Sequence, residues 1–173
     1  ETLSARVSHT ARILPHARRA ATLGAERRGA GALIRPDYVL TIGYLVIEAE
    51  SIEVTTSAGK TFPARLAAYD HASGFGLLKL AAPLGGTPLA LGDSESLAEG
   101  EPAMVVISPS RDSASIVHVA ARRPFAGSWE YLLDSAIFTY PPVAQWSGAP
   151  LIGARGELLG IGSLVVPDVT GTG

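Results

Sequence analysis

Few residue types in this chain could do covalent chemistry. There is no cysteine, which excludes disulfides, thiol nucleophiles, iron–sulfur clusters and thiolate zinc sites. A serine hydroxyl is a poor nucleophile near neutral pH. It needs a base within hydrogen-bond reach that is mostly unprotonated yet can carry a proton. Four histidines could serve: His9, His16, His71 and His118. His71 follows Asp70 in a predicted loop and reads as exposed. His118 lies between Val117 and Val119 in a predicted strand, so it faces the side opposite to them. His9 and His16 fall in an Arg-rich leading segment. No H-x-x-x-H, H-E-x-x-H or carboxylate–histidine cluster supplies the converging ligands of a metal site, so none is expected. No phosphate-cradling G-x-x-x-x-G-K-[ST] or G-x-G-x-x-G loop is present, so no nucleotide cofactor is expected.

The elements that must position such groups are short. Glycine and proline together supply 31 of 173 residues, 19 plus 12, which favours many turns over long helices. Hydrophobic residues at 47% give enough material for a core, so disorder is set aside. A net charge of −2 does not suit a general nucleic-acid binder. No apolar run reaches the ~18 residues needed to span a bilayer; the longest, Tyr38 to Ile47, contains Thr41 and Gly43. No basic-then-apolar leader follows Glu1, so a processed or trimmed form is expected.

Residues 1–28 carry Arg6, Arg12, Arg18, Arg19, Arg27 and Arg28, and read as a solvated arm on a globular body. They carry no interleaved aromatic that would suggest single-stranded nucleic acid. From Gly29 the texture changes. Ile52 and Val54 alternate with Glu53 and Thr55, a half-buried strand, and Thr61 to Tyr69 reads as its hairpin partner. Gly76 to Leu80, Ala103 to Ile107, Ser115 to Ala121 and Tyr131 to Tyr140 read as further strands. Pro150 to Ile152 and Glu157 to Val166 form a hairpin around Ala154-Arg155-Gly156. Short strands at regular spacing, without a sustained helical stripe, predict an all-β sandwich or barrel.

Four segments then stand in a familiar order: Thr41-Ile42-Gly43-Tyr44, Gly74-Phe75-Gly76-Leu77-Leu78, Gly92-Asp93-Ser94-Glu95-Ser96-Leu97-Ala98-Glu99-Gly100-Glu101, and Gln145-Trp146-Ser147-Gly148-Ala149-Pro150-Leu151. Together they resemble the chymotrypsin-fold serine proteases, the bacterial HtrA-like (Deg-type) branch in particular. The resemblance implies two packed antiparallel β-barrels, at 29–86 and 87–173, with a cleft between them. The closing strand and helix that follow the last hairpin in this family are expected to be missing, as is a PDZ module. The acidic run Asp93, Glu95, Glu99 and Glu101 matches the family's connector.

The same comparison predicts a degenerate triad. Tyr44 stands where the family has histidine, Gly74 where it has aspartate, and Ser147 at the nucleophile. Gln145 replaces the glycine whose N–H, with that of Ser147, forms the oxyanion hole. A phenol with pKa about 10 is protonated at neutral pH and is expected to donate to Ser147 rather than accept from it. A side chain at 145 is expected to disfavour the backbone conformation glycine adopts freely. The expectation is therefore not an enzyme but an inactive homologue that binds or scaffolds protein or peptide. Trp146, Gly148 and His71 are its cleft candidates. The alternatives are a serine hydrolase rerouted around Ser147, with His71 or another group as base, and a structural domain of a larger envelope protein. A protein or peptide partner, no nucleic acid, and a periplasmic or envelope location complete the expectation.

Overall fold

The computed structural model describes residues 6–14, 17, 23–107, 114–127 and 131–166. It is almost entirely antiparallel β. Strands β1 (Arg6–Ile13), β2 (Glu26–Arg35), β3 (Tyr38–Ile42), β4 (Ala49–Thr56), β5 (Thr61–Tyr69) and β6 (Phe75–Leu80) close a barrel in the order β1-β2-β3-β6-β5-β4. Strands β7 (Pro102–Val106), β8 (Ala114–Gly127), β9 (Tyr131–Tyr140), β10 (Pro150–Ile152) and β11 (Leu158–Ile161) form a second sheet in the order β11-β10-β7-β8-β9. The two-barrel architecture expected from the sequence is present, the second barrel as a five-stranded half-barrel.

Period-two alternation accounts for the elements. In β6, Gly76, Leu78 and Leu80 are buried while Phe75, Leu77 and Lys79 are half-buried. In β4, Ile52 and Val54 point inward and Glu53 outward. The β4–β5 turn places Gly59 at φ 76°, the left-handed region that glycine occupies without penalty. The barrel core joins Leu33, Val39, Ile42, Val46, Val54 and Leu78 to Val106, Ile152 and Leu158 of the second sheet. Ala30 of β2 packs in turn into the second core, with Val105, Val117 and Leu151. The two sheets therefore interlock through apolar contact, and the loops between them are held from both sides.

The leading arm is corrected. Arg6–Ile13 is not a solvated arm but β1, paired with β2 on one side and β4 on the other. Its inward positions are Val7, His9, Ala11 and Ile13, all buried. Histidine and alanine at two of those four positions blur the alternation. Arg27 is also buried, 3% exposed. Its Nη1 donates to the carbonyls of Tyr44 at 2.8 Å and Ile47 at 3.1 Å, and its Nε to that of Gly24 at 3.2 Å. Charge-assisted bonds of this kind pin the turn that carries Tyr44. His16, Arg18 and Arg19 lie outside the described residues.

Candidate functional site

Tyr44 sits in a short 3-10 turn, Gly43–Leu45, that leaves β3. Gly43 N–H donates to Gly74 O at 2.7 Å, which ties this turn to the start of β6. A side chain at 43 has no room, since a Cβ would lie 2.1 Å from the Tyr69 ring.

Ser147 sits in the loop between β9 and β10. The loop is anchored on both sides: Ala30 N–H donates to Ser147 O at 2.9 Å, and Gly148 N–H donates to Gly162 O at 2.8 Å. Tyr44 and Ser147, distant in sequence, meet here with Tyr44 Oη 2.8 Å from Ser147 Oγ.

The direction of that bond follows from its neighbours. Tyr44 Oη also lies 2.8 Å from the carbonyl oxygen of Ser163. A carbonyl only accepts, and a phenol has one proton. Tyr44 O–H therefore donates to Ser163 O, which leaves Ser147 O–H as the donor to Tyr44 Oη. This corrects the expectation that Tyr44 donates to Ser147. Trp146 Nε1–H donates to the same Ser163 oxygen at 2.8 Å.

Tyr44 titrates above the ordinary 10.0. Burial is the largest cause, the Ser147 hydrogen bond opposes it, and the nearby Tyr131 adds to the rise. At neutral pH the phenol is neutral, so Ser147 faces an acceptor of very low basicity.

Gly74 is buried with φ 76°, and a Cβ there would lie 2.8 Å from the Tyr131 ring. The space beside Gly74 is filled by that ring, whose hydroxyl lies 2.6 Å from Ser163 Oγ. Tyr131 and Ser163 are thus part of the site, though the sequence singles out neither. Tyr131 reads only as the first residue of an apolar strand.

Gln145 is exposed and takes φ 57°. The residue occupies the left-handed conformation that a side chain disfavours, at a strain of about 1 to 2 kcal/mol. Strain of this kind is found where a loop shape is functionally required.

His71 is exposed on the turn after β5, edge-on to Tyr69 with ring centroids 4.6 Å apart. Asp70 beside it is held below the usual carboxylate range, first by the Ser73 hydroxyl and then by the Ala72 N–H. Among the described residues, Tyr44 is the only side chain hydrogen-bonded to Ser147 Oγ. His71 is not brought to the nucleophile, so the rerouting through it is not supported. His118 is exposed on β8. Among the described residues no cluster of three or more His, Asp or Glu gathers for a metal ion.

Trp146 also lines a cavity of about 440 Å³ to which both sheets contribute, Ile42 and Phe75 from the first and Phe125, Tyr131 and Phe138 from the second, and none of its lining residues is charged. No helix among the described residues is long and apolar enough to cross a membrane.

Comparison with known proteins agrees with this fold. A family model described as a trypsin-like peptidase domain matches residues 29–161. The periplasmic pH-dependent serine endoprotease DegQ of Escherichia coli is 29% identical over 148 residues, covering 82% of this chain and 32% of its own. Serine protease HTRA1 of Xenopus laevis is 29% identical over 165 residues, covering 90% and 34%. The chain thus spans about a third of the length of these relatives.

Among solved structures, the HtrA-type protease AlgW with a tripeptide superimposes with a TM-score of 0.74 at 19% identity, covering 92% of this chain and 50% of that one. The active form of the M. tuberculosis protease Rv3671c gives 0.73 at 20% identity, covering 92% and 70%. These likenesses show the fold. The expectation that the chain is not an enzyme is overturned by these matches, because the relatives are named as serine proteases.

Proposed function

The chain belongs to the trypsin-like peptidase family, on its HtrA-like side, and from that premise we propose that it is a serine hydrolase of polypeptides in which Tyr44 replaces histidine as the base. One observation carries this reading: the Ser147 hydroxyl donates to Tyr44 Oη at 2.8 Å while Tyr44 O–H donates to Ser163 O. A serine whose proton already points at an acceptor is oriented for attack.

Tyr44 first loses to solvent the proton it shares with Ser163 O, and the phenolate takes the Ser147 proton as Oγ bonds to the substrate carbonyl carbon. The developing oxyanion is met by the N–H groups of Gln145 and Ser147; as it collapses the C–N bond breaks and neutral Tyr44 returns the proton to the leaving amine, and a water deprotonated by Tyr44 in the same way then releases the acyl group from Ser147 Oγ as the acid. A preorganised hole of this kind is worth about 10² to 10³ in rate per donor, and the left-handed Gln145 keeps the loop in a glycine-like shape. The uncharged cavity beside Trp146 suits an apolar side chain of an extended peptide. A periplasmic or envelope location is proposed from the names of DegQ and DegP.

The sign of the pH dependence is fixed by Tyr44. Its pKa is raised, so the ionised base is scarce at pH 7. Turnover is expected to rise about tenfold per pH unit through the alkaline range. Casein incubated at pH 7, 8, 9 and 10 should be cleaved increasingly with pH, and not at all by Ser147→Ala. Equal cleavage by Ser147→Ala, or none at pH 10, overturns the reading.

A further inference from the structure

A column of buried polar groups runs from β1 to the Ser147 loop, and hydrolysis as described does not use it. His9 is 2% exposed. Its Nε2 lies 2.9 Å from Thr41 Oγ1 on β3. That hydroxyl donates to Ala30 O on β2 at 2.8 Å, and Ala30 N–H donates to Ser147 O at 2.9 Å. The column is tightly packed at both ends. A Cβ on Gly148 would lie 2.1 Å from Ala30 O and 2.5 Å from Thr41 Oγ1, and one on Gly29 would lie 2.9 Å from Ser147 O.

The tautomer of His9 follows from the chain of donors. Thr41 has one hydroxyl proton and gives it to Ala30 O, so its oxygen accepts from His9 Nε2–H. Nδ1 is then the bare nitrogen, and it is buried with no hydrogen-bond partner. A second proton must go to Nδ1, where no group among the described residues accepts it.

Among the described residues the surroundings offer no counter-charge. Gly29 on β2 and Val54 on β4 stand opposite His9. Arg28 and Glu53 on those strands are exposed. Arg27 turns to the Tyr44 and Ile47 carbonyls, and the Tyr44 hydroxyl faces Ser147 and Ser163. Burial opposes the charged imidazole and only the Ala30 carbonyl favours it, which lowers its pKa from 6.5 to about 4. Between those values the unfolded chain binds a proton that the folded chain refuses. Stability therefore falls as pH drops across that window, and the folded state takes the proton only near its lower end.

We propose that His9 is a positioning residue for Ser147: its Nε2–H holds Thr41, and through Thr41 and the Ala30 peptide it fixes the Ser147 loop, whereas an imidazolium, although it keeps Nε2–H, buries an unpartnered Nδ1–H, so that in acid the ring leaves its site and frees the loop. The effect on turnover rests on the hydrolase reading; the effect on the loop does not.

The test reads the loop directly, by NMR of backbone amides in the wild type, His9→Gln and His9→Phe. Glutamine can present a donor near Nε2, and phenylalanine cannot. In the wild type, the Gly148 amide should shift together with the His9 ring as pH falls to about 4. His9→Gln should keep Ala30 amide exchange close to wild type at pH 7 and lose that coupled shift. His9→Phe should speed Ala30 exchange by about tenfold or more while Leu78 is unchanged, a local rather than global loosening. A Gly148 shift that persists in His9→Gln overturns the proposal, as does wild-type protection of Ala30 in His9→Phe. Should His9→Phe not fold, the His9→Gln titration decides alone. Absent hydrolysis with the coupled shift intact would sink the hydrolase reading and leave this one standing.

Discussion

Gly148→Ala is expected to lower the melting temperature by about 10 °C, the largest stability loss of any single methyl group added near the site. Two costs combine. Gly148 has φ 75°, where a side chain is strained by about 1 to 2 kcal/mol. The new Cβ would also lie 2.1 Å from Ala30 O. That oxygen cannot retreat, because it belongs to a strand of the closed barrel and accepts the Thr41 hydroxyl. Overpacking of this kind costs about 1 to 3 kcal/mol, so the total is on the order of 3 kcal/mol. Gly160→Ala is the control, since its Cβ would meet only Leu151 side-chain atoms at 3.8 Å. Thermal unfolding should place Gly160→Ala near wild type. A Gly148→Ala variant that melts with it would show that the Ser147 loop is not held as described.

Tyr44→His is expected to speed reaction of Ser147 with a fluorophosphonate at pH 8 by about 10²-fold. Tyr44 contacts Ser147 Oγ directly, and an imidazole with pKa about 6.5 is mostly unprotonated there whereas a buried phenol is not. The gain should stop short of a full triad, because nothing orients the imidazole. Adding Gly74→Asp should not supply that orientation. Gly74 is left-handed and its Cβ would strike the Tyr131 ring, so the expected result of the double variant is lower stability with no further gain in rate. A Tyr44→His rate equal to wild type would mean that base strength does not limit Ser147.

How far the sequence reveals this molecule depends on how local each signal is. The β4–β5 hairpin and β6 are legible because their inward residues are large aliphatics at strict period two. The all-β two-barrel class follows from such runs together with the ordered motifs. Strand β1 is not legible: His9 and Ala11 occupy two of its inward positions, and the arginines around it suggest solvent. Arg27 misleads in the same way, because its carbonyl partners lie 17 and 20 residues away. Tyr44 and Ser147 can be found from short motifs. Tyr131 and Ser163 cannot, since what makes them part of the site is contact across the fold with Gly74 and Tyr44. The direction of the Tyr44–Ser147 bond depends on the Ser163 carbonyl and is invisible in sequence.

Whether Ser147 gives its proton to Tyr44 is read from the pH dependence of fluorophosphonate labelling in the wild type, Ser147→Ala and Tyr44→Phe. Labelling should depend on Ser147, rise about tenfold per unit from pH 7 to 10, and lose that rise in Tyr44→Phe. Labelling that is flat with pH, unchanged by Tyr44→Phe, or absent from Ser147 at pH 10 would contradict it.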